Sequence, residues 1–296
     1  MRGPISARFP FRRGAFLLLF GAFVALGCAR KGDVVAHAVM LSDKGRYDEA
    51  RQELEAHLQK HPDDVRARRL LIRVHGFKGD LGRARTEAER LAEQLGPASP
   101  TPWVELGHAL ELAHRYDEAL ALYDRASEVA PRDPEGPRTG GERAARWGEH
   151  ALARPRLEEA LRRAPRDAGT WHTLGVVCLG LGDMPGAEHA YRSGLVADPH
   201  ALENRIGLAT VALLQNDAAA ALREYETILA ERPSFADAEL GRSWALIELG
   251  RFDEAEAALV RAREHGASAA IIARQRSALA ERRRTGAPAE PTPRAE

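Results

Sequence analysis

An all-α fold of tandem helix-turn-helix units is what this sequence predicts, and three residue columns sharing one period predict it. Pro97, Pro131, Pro165, Pro199 and Pro233 recur every 34 residues, with Pro62 standing 35 residues ahead of them. Ala50, Ala84, Ala119, Ala153, Ala187, Ala221 and Ala255 keep the same step, with one interval of 35. Gly45, Gly79, Gly148, Gly182 and Gly250 form a third column, whose two gaps hold His114 and Asn216. Self-similarity at such a period marks a stack of identical supersecondary units. Composition agrees, because Ala, Leu, Arg and Glu dominate and aromatics make up only 6%.

Each column has a physical task. The glycine column falls between two apolar periodic stretches, where one helix must end and the chain reverse. A left-handed residue does this, so Gly is preferred and Asn is the next choice. Acids then open the second helix in Tyr47-Asp48-Glu49-Ala50, Tyr116-Asp117-Glu118-Ala119 and Phe252-Asp253-Glu254-Ala255, where they suit the positive end of the helix dipole. The alanine column lets two helices approach closely. The proline column ends the second helix or starts the next, since proline lacks an amide donor.

Trp103-Val104-Glu105-Leu106-Gly107, followed by Arg115-Tyr116-Asp117-Glu118-Ala119, Tyr123, Ala126 and Pro131, resembles the tetratricopeptide repeat (TPR) pattern almost position by position. Trp171, Leu174, Gly175, Gly182, Ala187, Tyr191 and Pro199 repeat it. The resemblance implies a right-handed all-α superhelix of about seven repeats over residues 34–267, with units starting near Lys31, Val65, Pro100, Pro134, Ala168, Leu202 and Ala236. It is highly specific for fold and hardly specific for function.

The fourth unit departs most. Pro134, Pro137, Gly140 and Gly141 occupy its expected first helix, and Pro155 lies in its second. Either this is a hinge, or the first helix is short and starts near Gly141. Residues 268–284 carry Ile271, Ile272 and Leu279 on a helical period and end in Arg282-Arg283-Arg284, as a capping helix with cations at its negative end would. The Pro-, Ala- and Glu-rich stretch 285–296 reads as a disordered tail.

Residues 1–27 read as a targeting segment. Arg2, Arg8, Arg12 and Arg13 precede an uncharged apolar run from Ala15 to Leu26, too short for a permanent membrane span but suited to a signal peptide. The run ends at Ala25-Leu26-Gly27-Cys28, which resembles a bacterial lipobox and implies lipidation of Cys28, with 28–33 as a short linker. Several acyl chains there would anchor the chain durably to a membrane. Ala29 follows the cysteine where an Asp would retain such a lipoprotein on the inner membrane of enteric bacteria, so the resemblance leans towards the outer membrane.

The formal charge is zero, from 43 basic and 43 acidic residues, but the first 27 residues hold four arginines and no acid. The remainder is therefore mildly acidic, which disfavours nucleic acid as a partner. With Cys28 lipidated, Cys178 stands alone, so no disulfide framework is expected and the thiol reads as a small buried side chain. No phosphate loop, nucleophile elbow or cysteine metal cluster is present, and the His57/His61 pair lacks accompanying ligands. Neither an enzyme nor a cofactor is expected.

Binding is then expected on the concave face, which in the TPR family is lined by the second, fifth, ninth, twelfth and thirteenth positions of each first helix. Carried over, these positions are Arg66, Arg69, Arg73 and Phe77 in the second unit; His108, Glu111, Arg138, Glu142 and Arg146 in the middle; and His172, Val176, Leu179, Ile206, Leu213, Leu214, Leu240, Trp244 and Ile247 in the last three. The groove would be basic at one end and apolar at the other. The function expected is that of a periplasm-facing lipoprotein scaffold holding envelope proteins, similar to pilotin-type TPR proteins that help secretins and pili or outer-membrane complexes assemble. The alternative is an adaptor for exopolysaccharide or peptidoglycan that uses the arginine stripe.

Overall fold

The computed structural model describes residues 33–285; the expected targeting segment, Cys28 and the stretch 286–296 lie outside them. The described residues form fifteen α-helices and no strand. They run as α1 (Val34–Asp43), α2 (Tyr47–Lys60), α3 (Val65–Phe77), α4 (Leu81–Leu95), α5 (Thr101–Leu112), α6 (Tyr116–Val129), α7 (Glu135–Arg146) and α8 (His150–Arg163). After these come α9 (Ala168–Gly180), α10 (Met184–Ala197), α11 (Leu202–Leu214), α12 (Ala218–Glu231), α13 (Ala236–Glu248), α14 (Phe252–Glu264) and α15 (Ala269–Thr285). Odd and even helices pair as the first and second helices of seven repeats, and α15 packs on α13 and α14. The chain divides inside α7 into two compact units, one up to Gly140 and one from Gly141. Among the described residues no helix is long and apolar enough to cross a membrane.

The turn column behaves as its chemistry requires. Gly45, Gly79, Gly148, Gly182 and Gly250 all have φ between +71° and +78°. His114 and Asn216, which fill the gaps, are the non-glycine residues found at positive φ, at 60° and 61°. Each lets the backbone reverse between the two helices of its repeat, and a side chain costs more there than no side chain.

Six of the seven second helices start in one of two chemically distinct ways, and α8, which follows a Glu149 whose side chain caps nothing, is the exception. Asp80, Asp183 and Asp217 cap α4, α10 and α12 by accepting from the amides of Arg83, Gly186 and Ala220. In α2, α6 and α14 the residue before the helix is an arginine whose side chain caps nothing; Arg46, Arg115 and Arg251 instead pair with Glu49, Glu118 and Glu254 in the first turn. Either way the positive end of the helix meets a carboxylate.

Every member of the alanine column is fully buried. Because the helices close on these methyl groups, Ala187→Leu should overpack the α9–α10 contact and cost about 1–3 kcal/mol, read as a shift in the urea midpoint. An unshifted midpoint would mean the column does not set helix spacing. Larger core side chains fill the space around it: Leu54, Leu71 and Ile72 in the first unit, and Leu157, Ile228, Leu246 and Leu259 in the second.

The fourth repeat corrects the expectation of a shortened first helix. Helix α7 begins at Glu135, six residues before Gly141. Pro137 falls in its first turn, where an amide has no partner to lose. The glycines are there for contact: a Cβ on Gly136 would collide with the backbone of Ser127, and one on Gly141 with the side chain of Leu157. Pro155 lies within α8 on its exposed side.

Candidate functional site

Two chemically different first-helix faces emerge, one in each unit. In the first unit, Arg69 and Arg73 lie one turn apart on α3, and both point at Glu105 on α5. Arg69 Nε donates to Glu105 Oε1 at 2.8 Å, while Arg73 donates through Nε to Oε2 at 2.5 Å and through Nη2 to Oε1 at 2.9 Å. The Glu105 side chain has no solvent exposure, whereas those of Arg69 and Arg73 are 40% and 33% exposed. His108 Nδ1 stands 3.7 Å from the same carboxylate. Burial by itself would raise the Glu105 carboxyl, but His108 and Arg73 outweigh it and hold the group down at about 2. Nearby Glu135, at the start of α7, is raised by burial, with Arg69 pulling the other way.

This network corrects the expected basic stripe. Two of its three arginines are already spent on a buried carboxylate, and Arg66 is the exposed member with no ion pair among the described residues. Phe77 is half-buried, with its ring stacked on Tyr47 at 4.8 Å between centroids. His108 packs edge-on against Tyr123, whose hydroxyl donates to Glu111 at 3.4 Å. Arg138 and Glu142 are half-buried on α7, and Arg146 is exposed at its end. Sequence reasoning placed Glu105 inside the repeat motif and assigned it nothing. The signal was present, as a lone acid between Val104 and Leu106 standing 36 and 32 residues after the two arginines, about one repeat away.

The second unit presents apolar side chains. Val176 on α9, Leu214 on α11 and Trp244 on α13 are 42%, 53% and 36% exposed. Leu181 and Leu249, just past the ends of α9 and α13, are exposed as well. Ile206, Leu213 and Leu179 are half-buried, the first two packing on the core that contains Leu240 and Ile247. Here the expectation fails for two residues: Leu240 and Ile247 are buried and belong to the contact between repeats, not to an accessible surface. Trp244, one turn from each, projects beyond them.

His172 lies at the start of this face, 5.9 Å from the Tyr191 ring, and burial pushes its pKa down. It lines an open pocket of about 270 Å³ with Asp198, His200, Glu203, Asn204 and Arg232 around the first turns of α9 and α11. Cys178 is buried nearby in α9, where burial pushes the thiol up and away from reactivity. Trp103 lies under the Arg125 guanidinium, and Trp171 donates to the Pro165 carbonyl at 2.8 Å, so both are structural contacts. His57 is hydrogen-bonded to Asp64 at 2.9 Å, and no group of three or more metal-ligating side chains occurs among the described residues.

Comparison with known proteins gives the same architecture. A curated relative, the heat-shock protein cognate co-chaperone sgt12 of Aspergillus fumigatus, is 28% identical over 111 residues, which are 36% of this chain and 33% of that protein. This chain thus matches about a third of that relative's length. Among solved structures, the C-terminal part of a TPR protein from Cytophaga hutchinsonii superposes with a TM-score of 0.59 at 15% identity, covering 80% of this chain and 98% of the other. YrrB, described as a TPR protein with an unusual peptide-binding site, gives 0.54 at 17% identity over 64% of this chain and 97% of its own. MamA gives 0.51 at 19% identity over 54% and 93%. At these identities the likeness is one of fold. TPR repeats form scaffolds for protein–protein interaction. One tetratricopeptide repeat profile matches residues 35–100, 75–137 and 140–201, more than half of the chain, and a second matches 212–275. This chain belongs to the tetratricopeptide repeat family.

Proposed function

We propose that this chain is a lipid-anchored scaffold of the bacterial envelope that faces the periplasm and holds a protein partner on the first-helix face of its second unit. The observation that carries the binding part is the row Val176, Leu214 and Trp244, three large apolar side chains left in water on three successive first helices. Isolated exposed apolar residues are ordinary, but a row rooted on rigid helices is the usual form of an interaction surface. Support for the anchor comes from the Ala25-Leu26-Gly27-Cys28 sequence. Assembly of secretin, pilus or other outer-membrane complexes is the role such a scaffold would serve. The polysaccharide alternative has weaker support, because Glu105 already occupies Arg69 and Arg73.

A photo-crosslinking residue in place of Val176, in the full-length protein in native envelopes, should trap a partner. Trp244→Ala and, separately, Leu214→Ser should abolish the crosslink while helix content is retained, since binding energy concentrates in a few large side chains. A crosslink that survives both changes would remove the surface reading. In the same cells Cys28→Ala should accumulate as an unprocessed or mislocalised form, whereas wild type should be processed and fractionate with membranes; identical processing and fractionation of the two would remove the anchor.

A further inference from the structure

The charges bordering the apolar row select what fits it. On α11, Glu203, Ile206, Thr210, Leu213 and Leu214 fall on one stripe at helical spacing, as Asp237, Leu240, Trp244 and Ile247 do on α13. On each helix the acid stands at the start of the stripe and the exposed apolar side chain further along. Glu203 and Asp237 are exposed, and neither makes an ion pair among the described residues. The cations of these helices are engaged: Arg205 with Glu224 at 3.4 Å and the Pro199 carbonyl at 2.9 Å, Arg242 with Glu239 at 3.5 Å. Glu248 is already satisfied by Arg282 at 2.9 Å. Helix α9 carries no Asp, Glu, Lys or Arg. The pocket beside Glu203 is lined by two carboxylate residues, Asp198 and Glu203, and one guanidinium residue, Arg232. The face is therefore apolar with an anionic border, the opposite of what the arginines on α3 suggest for the first unit.

We infer that the first-helix face of the second unit takes a cationic amphipathic segment, with its apolar side chains on Val176, Leu214 and Trp244 and its basic side chains over Glu203 and Asp237. The inference rests on the protein-binding reading of this face and adds the chemistry of the partner. A carboxylate in the first turn also favours its own helix, but that does not account for the exposed row beside it. An exposed charge pair is worth up to about fivefold in affinity, so the apolar anchors hold the segment and the carboxylates choose it.

The test uses the purified chain and two amphipathic peptides of about 18 residues, one of Leu and Lys and one of Leu and Glu in the same order. At low salt the Leu/Lys peptide should bind about tenfold or more tightly than the Leu/Glu peptide, and the difference should shrink as salt rises. Glu203→Gln with Asp237→Asn should remove the preference, and Trp244→Ala should weaken both peptides together. Equal binding of the two peptides, lost in Trp244→Ala, would overturn the cationic chemistry and leave the protein-binding surface standing. A preference unchanged in the double variant would place the selecting charges elsewhere and overturn it too. Failure of both peptides to bind would also overturn it, while the envelope crosslink decides the scaffold reading independently.

Discussion

Glu105→Gln is expected to destabilise the first unit by about 2–3 kcal/mol, among the largest effects of any change that alters so few atoms. The variant keeps the shape of the side chain but removes the charge that faces Arg69 and Arg73. Removing one partner of a buried pair typically costs about 3–5 kcal/mol, and the lower figure applies because the two guanidinium groups are partly exposed and can rehydrate. The sign of the pH dependence follows from the direction of the shift. The carboxyl sits at about 2 in the folded chain against 4.5 unperturbed, so its contribution is fully present above about pH 4.5. It is lost as pH falls from there towards 2. Urea titrations at pH 7 and at pH 3, with hydrogen exchange to localise the opening to α3 and α5, should show wild type weakening with acid more than the variant does. Parallel pH profiles would show that the carboxylate stabilises nothing. Salt should matter little, because a carboxylate without solvent exposure is poorly screened.

Tyr191→Ala is expected to cost about 3–5 kcal/mol in the second unit, the usual range for deleting a buried aromatic ring. Tyr191 is 2% exposed and wedged between Gly175 on α9 and Gly207 on α11, where a Cβ on either glycine would overlap the ring. The ring thus joins its own repeat to the next. Burial, chiefly, pushes its phenol to about 12, so the hydroxyl stays protonated throughout the physiological range. Half of this device recurs at each of two other tyrosines, Tyr123 against Gly107 of its own repeat and Tyr225 against Gly241 of the next. A double-mutant cycle gives the sharper test. Gly207→Ala alone should destabilise by about 1–3 kcal/mol through overpacking. Placed in Tyr191→Ala it should be neutral or stabilising, because the methyl then enters the vacated space. Additive losses would show that ring and glycine do not share that space.

How much of this was legible beforehand depends on the range of the interaction. Helix ends, the left-handed turns at Gly45 through Gly250 and the substitutes His114 and Asn216 are decided by residues within a few positions, and one period repeated seven times makes them plain. The alanine column was equally readable, since a methyl group at a fixed register has one steric meaning. Glycines in α7 were not: propensity alone argues for a helix starting near Gly141, whereas contacts with Ser127 and Leu157 make the missing side chains an advantage from Glu135 onward.

The sequence by itself therefore determined the repeat and its fold, because these follow from local backbone preferences summed over many copies. Tertiary structure alone decided which groove residues remain available. Arg69 and Arg73 meet Glu105 across 36 and 32 residues, and Leu240 and Ile247 sink into a core while Trp244, between them, stays in water. Both outcomes depend on how one repeat packs against the next. Side-chain burial and charge pairing are properties of two surfaces in contact, and a helical period specifies only one of them.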